Sequence, residues 1–261
     1  MIFGSLTLLL VLVIRKERLP RPLRLWGHLA VAGFVSNALP FSLYAYGETR
    51  VTSVLAGIWN ATTPLVTLLV VVLALPEERP SRKRVLGLLL SFAGAGVLLG
   101  VWRGMGNQAL LGNLSCFGAA ACYGIGFPYA RKHLAGRPES AIALSAAQLL
   151  CGTIELAIVT PFFTVAPTSL PLRVVGSILA LGALGTGVAY VLNYGLLREV
   201  GATVTSTVTY VIPLFAAAVG MLVLGEPLTW NEPVGAVVVL LGILVSQGHL
   251  SPLRRRVSTR Q

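Results

Sequence analysis

The chain contains no aspartate: all nine acidic residues among its 261 are glutamates. That absence excludes aspartyl-phosphate pumps, aspartate-rich diphosphate sites and aspartate-dependent intramembrane proteases. Charge of either sign is scarce, 11% of residues against the roughly 25% usual in a soluble domain. Neither a G-x-x-x-x-G-K-[ST] stretch nor an H-E-x-x-H pair occurs, so any work draws on a gradient and not on ATP bound to this chain. Cysteine is limited to Cys116, Cys122 and Cys151, inside apolar runs and without C-x-x-C spacing, a pattern of packing and not of a metal site or disulfide. His28, His133 and His249 stand apart near the ends of apolar runs. The expectation is no cofactor and no metal.

Apolar residues are abundant, 55% of the chain. They fall into about nine runs of roughly 20 residues, the length that crosses a bilayer core. The runs lie near 1–14, 25–46, 51–75, 84–101, 108–130, 139–163, 172–197, 202–224 and 232–249. The pattern predicts an all-α polytopic membrane protein with the lipid bilayer as partner. A formal charge of +11 would suit nucleic acid, but the basic residues sit in short clusters between the runs, where positive-inside bias puts them. Seventeen of them lie in the loops after runs one, three, five and seven and in the tail, and only Arg50, Arg103 and Arg173 lie in the opposite loops. This predicts a cytoplasmic C-terminus and no nucleic-acid partner. Seventeen arginines against three lysines fit a GC-rich bacterial genome, and the membrane expected is the bacterial inner membrane. The first run is short and is followed, not preceded, by Arg15, Lys16 and Arg18. It reads as the tail of a span and not as a removed signal.

The chain echoes itself. Setting Pro64 on Pro213 also superposes Leu43 on Leu192 and Val51 on Val200; after a one-residue gap Glu78 falls on Glu226, Gly87 on Gly235 and Gly94 on Gly242. The loop of Glu78 is on the basic side and that of Glu226 has no basic residue. Related halves of opposite orientation are the sequence sign of an inverted-repeat secondary transporter, with the solute site near the midplane. The expected organisation is a first repeat over 1–107, a second over 108–250 and a basic cytoplasmic tail over 251–261. In this register the runs at 108–130 and 139–163 find no complete counterpart, so the expectation is two five-helix repeats lacking the first helix and part of the second.

The second half carries Gly112-Asn113-Leu114, Ala121-Cys122-Tyr123, Leu184-Gly185-Thr186-Gly187-Val188-Ala189-Tyr190, Gly201-Ala202-Thr203, Tyr210-x-x-Pro213 and Leu224-Gly225-Glu226-Pro227-Leu228-Thr229. In that order and spacing the chain resembles the EamA type of the drug/metabolite transporter superfamily; the first half adds Asn60-x-x-x-Pro64 and Glu78-Arg79-Pro80-Ser81. The resemblance implies a ten-helix fold of two inverted repeats, not an enzyme, that moves small organic solutes, often amino acids or related metabolites, by alternating access. The alternative is a truncated remnant without transport, or a membrane subunit completed by a partner helix. A homodimer is compatible with either.

Pro64 and Pro213 each remove a backbone donor inside an apolar run, so a matched pair of helix breaks near a central cavity is expected. Around them the polar residues at membrane depth are Asn37, Tyr44, Trp59, Asn60, Tyr123, Tyr190, Asn193, Tyr194 and Tyr210, with Thr62, Thr63, Thr207 and Thr209. Amides and hydroxyls bind a polar solute without the cost of a buried charge, and aromatic faces pack on apolar or cationic groups; an interhelical hydrogen bond is the competing role for each. Glu155 is the only carboxyl well inside a run and is the candidate for proton coupling, with a hydrogen bond to Gln148 as its structural alternative. Glu78 and Glu226 are expected to cap the helices that follow them. Gly96-x-x-x-Gly100 and the Gly182, Gly185, Gly187 cluster are expected to permit close helix approach.

Overall fold

A computed structural model of the chain describes residues 1–78, 80–104, 110–163, 171–224 and 229–247. Arg79, Glu226, His249 and the tail 251–261 lie outside the described residues. No strand occurs among those described. The helices are α1 (Ile2–Ile14), α2 (Leu23–Glu48), α3 (Ser53–Asn60), α4 (Thr63–Ala74), α5 (Arg82–Leu98), α6 (Leu110–Ala135), α7 (Ala141–Phe163), α8 (Leu172–Ser206), α9 (Val208–Leu224) and α10 (Asn231–Ser246). A 3-10 turn at Pro76–Glu78 and a single helical turn at Val101–Gly104 complete them. Each of the nine apolar runs contains a helix, and among the described residues five helical stretches are long and apolar enough to cross a membrane: Leu23–Glu48, Leu55–Ala74, Leu110–Ala135, Ala141–Phe162 and Leu172–Ser206.

Local chemistry sets the boundaries. Lys16 takes a left-handed φ of 55° after α1, and Pro20 and Pro22 delay the next helix to Leu23. Thr52, Ser81 and Ser140 each accept a backbone N–H, from Leu55 at 3.3 Å, Arg84 at 3.3 Å and Ala143 at 3.0 Å, filling donors that a helix start leaves open. Glu78, expected to cap α5, does not; Ser81 holds that position.

Packing runs opposite to that of a soluble protein. Large apolar side chains point outward, Leu23 85% exposed, Phe162 79% and Leu222 77%. Ser91, Ser145, Thr63, Thr67, Ser206 and Asn231 are buried, as expected where hydrocarbon is the solvent and small polar residues join helices. The tightest junction is between α5 and α10. A Cβ on Gly87 would strike the backbone of Ser246 and Gly242, one on Gly94 the backbone of Val239, one on Gly235 the backbone of Leu98, and one on Gly242 that of Ser91. Ser91 Oγ donates to the Val239 carbonyl at 3.2 Å, and Asn231 Nδ2 to that of Leu98 at 2.9 Å. The expected Gly96 contact is absent, because Gly96 faces open space. In α8, Gly182 meets Phe3 and Gly4 of α1 as expected of a small-residue cluster, whereas Gly185 meets only Leu181 of its own helix.

The helix breaks differ from those expected at the prolines. Between α3 and α4 the break is at Ala61 and Thr62, where Thr62 N–H bonds Trp59 O at 2.9 Å and Leu65 N–H bonds Thr62 O at 3.0 Å. Pro64 occupies the first turn of α4, where its missing N–H would have had no partner anyway. Between α8 and α9 the break is at Thr207, bonded to Val204 O at 3.1 Å and accepting from Tyr210 N–H at 3.0 Å, while Pro213 lies inside α9. Both breaks are threonine turns, and the prolines follow them.

Candidate functional site

A cavity of about 780 Å3 lies between α2, α3, α6, α7, α8 and α9. Its walls carry Tyr44, Tyr123, Tyr190 and Tyr194 together with Ser36, Asn60, Gln148, Asn193 and Thr209, and Glu48 stands at one end. Two helices loosen to π turns to form it. Phe34–Ala38 in α2 is π-helical and carries Asn37; Leu181–Val188 in α8 is π-helical and directly precedes Tyr190. Such insertions re-aim side chains and concentrate at functional sites.

The two irregular turns meet. Asn37 Nδ2 donates to the Tyr190 hydroxyl, which donates to Ser36 O at 2.9 Å. Gln148 Nε2 donates to Asn37 Oδ1 at 2.9 Å and Gln148 Oε1 accepts from the Tyr194 hydroxyl, so Gln148 is bound here and not to Glu155. Tyr44 donates to Asn60 Oδ1 at 3.1 Å and its ring stacks on that of Tyr123 with centroids 6.2 Å apart. Three tyrosine hydroxyls are therefore fixed. The Tyr123 hydroxyl, the Asn193 amide and the Thr209 hydroxyl have no protein partner among the described residues.

Tyr44, Asn60, Tyr123, Tyr190, Asn193 and Tyr194 line the cavity. Asn37, fully buried, stands behind its wall and holds Tyr190 and Gln148. Trp59 and Tyr210 are elsewhere. Trp59 Nε1 donates to Asn113 Oδ1 at 2.9 Å and its ring meets Phe117 edge-on, tying α3 to α6. Tyr210 is buried with Leu88, Ala95 and Val239 and donates to Leu88 O at 3.1 Å, tying α9 to α5. In both residues the polar atom is taken by a neighbouring helix, the role that competes with solute contact in any interhelical position. Pro64 and Pro213 do not line the cavity either. The sequence offers Gln148 only as a partner for Glu155 and does not single out Ser36, because neither side chain carries a charge or an aromatic ring.

One end of the bundle carries Arg131 and Arg198, and an apolar cluster lies between it and the cavity, sharing Ala130 and Tyr194 with the cavity wall. Leu25, Leu29, Val71, Leu75, Leu134, Leu144, Leu197 and Tyr194 form a continuous apolar plug. Outside the plug, Glu78 crosses from the first half to the second. One carboxylate oxygen accepts from Arg131 Nε and the other from the Ala202 N–H at 3.1 Å. Arg131 donates in turn to the carbonyls of Leu197 at 2.8 Å and Arg198 at 2.9 Å. The elbow between these groups is Gly201, with φ 79° and ψ 176°, a conformation that needs glycine; a Cβ there would also meet the Glu78 carboxylate. Glu78 thus satisfies the start of the helical turn at Ala202, and Arg131 satisfies the end of the segment before it.

Glu155 is half-buried in α7, outside the cavity lining, with its Oε2 buried and without a hydrogen-bond partner among the described residues. His28 and His133, expected to stand apart, stack at 4.5 Å, and His28 Nδ1 is 2.8 Å from the Tyr129 hydroxyl. The three cysteines are free, and no group of three or more metal-ligating side chains occurs among the described residues.

The profile of the EamA-like transporter family matches residues 1–100 and 110–247. The chain is similar to the uncharacterized transporter YoaV of Bacillus subtilis (strain 168), 24% identical over 259 residues that cover 97% of this chain and 86% of that protein. A solved crystal structure superposes with a TM-score of 0.77 over 94% of this chain and 85% of its own, at 19% identity, a likeness of fold alone.

Proposed function

Because the chain belongs to the EamA-like transporter family, whose members are membrane transporters of small solutes, we propose that it is a gradient-driven secondary transporter of a small polar metabolite, an amino acid or related solute, working by alternating access. The observation that carries this reading is a cavity lined by tyrosines and amides and bounded at one end by the apolar plug and the Glu78–Arg131 latch. In this reading the basic end is cytoplasmic, the membrane is a bacterial inner membrane, and the state described is closed inward. The solute binds Tyr123, Asn193 and Thr209, against a scaffold of Tyr44, Asn60, Tyr190 and Tyr194 held in place by Asn37. Opening inward requires the Glu78–Arg131 contact to part and the plug to separate.

Two repeats of opposite orientation, over 1–107 and 108–250, are supported by the junction of α5 and α10. Shifting Gly235 and Leu98 by the 148-residue offset between the halves gives Gly87 and Ser246, and these are in contact; shifting Ser91 and Gly242 gives Val239 and Gly94, which are also in contact. A two-fold exchange of the halves maps the junction onto itself.

We assign proton coupling to Glu155, because it is an ionisable side chain at membrane depth whose buried Oε2 has no hydrogen-bond partner among the described residues. The deciding experiment is flux of a broad panel of labelled metabolites into proteoliposomes under an imposed pH gradient. Transport of one class is expected; no flux across the panel would favour a non-transporting protein. Glu155→Gln is expected to abolish the pH dependence of flux while binding stays measurable, and an unchanged pH dependence would return Glu155 to a structural role.

A further inference from the structure

The open end of the cavity has its own chemistry. Glu48 is the last residue of α2 and stands one helical turn after Tyr44, so the two share a face. Tyr123, on the neighbouring helix α6, stacks its ring on that of Tyr44. The Glu48 carboxylate is exposed and has no ion-pair partner among the described residues. The nearest cation in sequence, Arg50, is turned away: its guanidinium lies 3.6 Å over the Tyr46 ring and donates to Tyr46 O at 3.0 Å and Thr49 Oγ1 at 2.8 Å. No arginine, lysine or histidine is among the residues that line the cavity.

We propose that Glu48, Tyr44 and Tyr123 form a recognition site for an ammonium group, so that the solute admitted carries an amine, as an amino acid or an organic amine does, and is not a net anion. A cation held over aromatic faces gains from their quadrupole, and an unneutralised carboxylate beside them adds attraction at short range. The same arrangement repels an anion, for which the cavity has no counter-charge. A net anion entering would be repelled by Glu48 at the mouth and would find no counter-charge deeper in the cavity, a cost that amides and hydroxyls do not cover. The Tyr123 hydroxyl and the Asn193 amide then meet the neutral polar part of the molecule deeper in. This inference rests on the transporter reading for its use of the word solute, but the site makes a claim about binding alone.

The test uses three probes of similar shape, 2-phenylethylamine, 2-phenylethanol and phenylacetate, in equilibrium binding to the purified full chain in lipid nanodiscs. The amine is expected to bind at least roughly tenfold more tightly than phenylacetate, and Glu48→Gln to weaken the amine by roughly tenfold while leaving the alcohol unchanged. Glu48→Asp should restore most of the amine binding, and Tyr44→Leu should weaken it. Because Glu48 is exposed and unpaired, its variants should keep the thermal stability of the parent. Equal or tighter binding of phenylacetate, an equal effect of Glu48→Gln on amine and alcohol, or no saturable amine binding would each overturn the proposal. Selective amine binding without flux of any solute in proteoliposomes would sink the transporter reading and leave this site standing. Flux of carboxylates without amine binding would do the reverse.

Discussion

Glu78→Gln is expected to loosen the basic end of the bundle without loosening the rest. The substitution keeps the shape of the side chain and removes its charge, so Arg131 loses its ion pair while retaining the carbonyls of Leu197 and Arg198. The pair is partly exposed, 30% for Arg131 and 17% for Glu78, which places it between a surface ion pair at about 0–1 kcal/mol and a charged hydrogen bond at about 1.5–3 kcal/mol. A loss of about 1–2 kcal/mol changes an opening equilibrium by a factor of about 5–30. Hydrogen–deuterium exchange reads this directly, because the Ala202 amide is the one bonded to Glu78. Amides of 198–206 should exchange about 5–30 times faster than in the parent, with those of the α5–α10 junction unchanged. Arg131→Gln should give the same pattern, and the double variant little more than either single one. Unchanged exchange over 198–206, or a rise shared equally with the junction, would refute the latch.

Gly235→Ala drives a Cβ into the Leu98 backbone and is expected to cost about 1–3 kcal/mol, lowering the Tm of the purified protein, whereas Gly96→Ala meets open space and should leave it unchanged. Asn37→Ala removes the group that holds both Tyr190 and Gln148 and should weaken solute binding in the same assay by tenfold or more, roughly the effect of leaving buried polar atoms unpaired. Tyr210→Phe loses only its bond to Leu88 O, so it should leave binding unchanged and lower stability by about 1 kcal/mol.

The sequence reading reached the helices because lipid makes their pattern plain: in hydrocarbon the backbone must bond to itself, and an apolar run of sufficient length has few alternatives. Tyr44, Asn60, Tyr123, Tyr190, Asn193 and Tyr194 were visible for the same reason, as polar groups where polarity costs free energy. The reading could not tell these from Trp59 and Tyr210, because which side of a helix faces a neighbour depends on packing across the chain. It placed the breaks at Pro64 and Pro213, where a donor is missing, and not at Thr62 and Thr207, whose turns need no unusual residue type. In sequence Glu78 reads as a local cap, because helix starts attract carboxylates. Its partners, Arg131 and the Ala202 amide, lie 53 and 124 residues away, and local rules carry no information at that separation.

Helices whose backbones touch along interlocked glycines cannot slide or roll without unthreading, so α5 and α10 act as an axle. Any rocking that exposes the cavity to the other side has to be taken up by helices such as α2 and α8, whose π turns and Gly201 elbow give them slack. Spin labels across the cavity would then change distance during turnover, while a pair placed on the lipid faces of α5 and α10 would keep theirs and serve as the fixed reference frame.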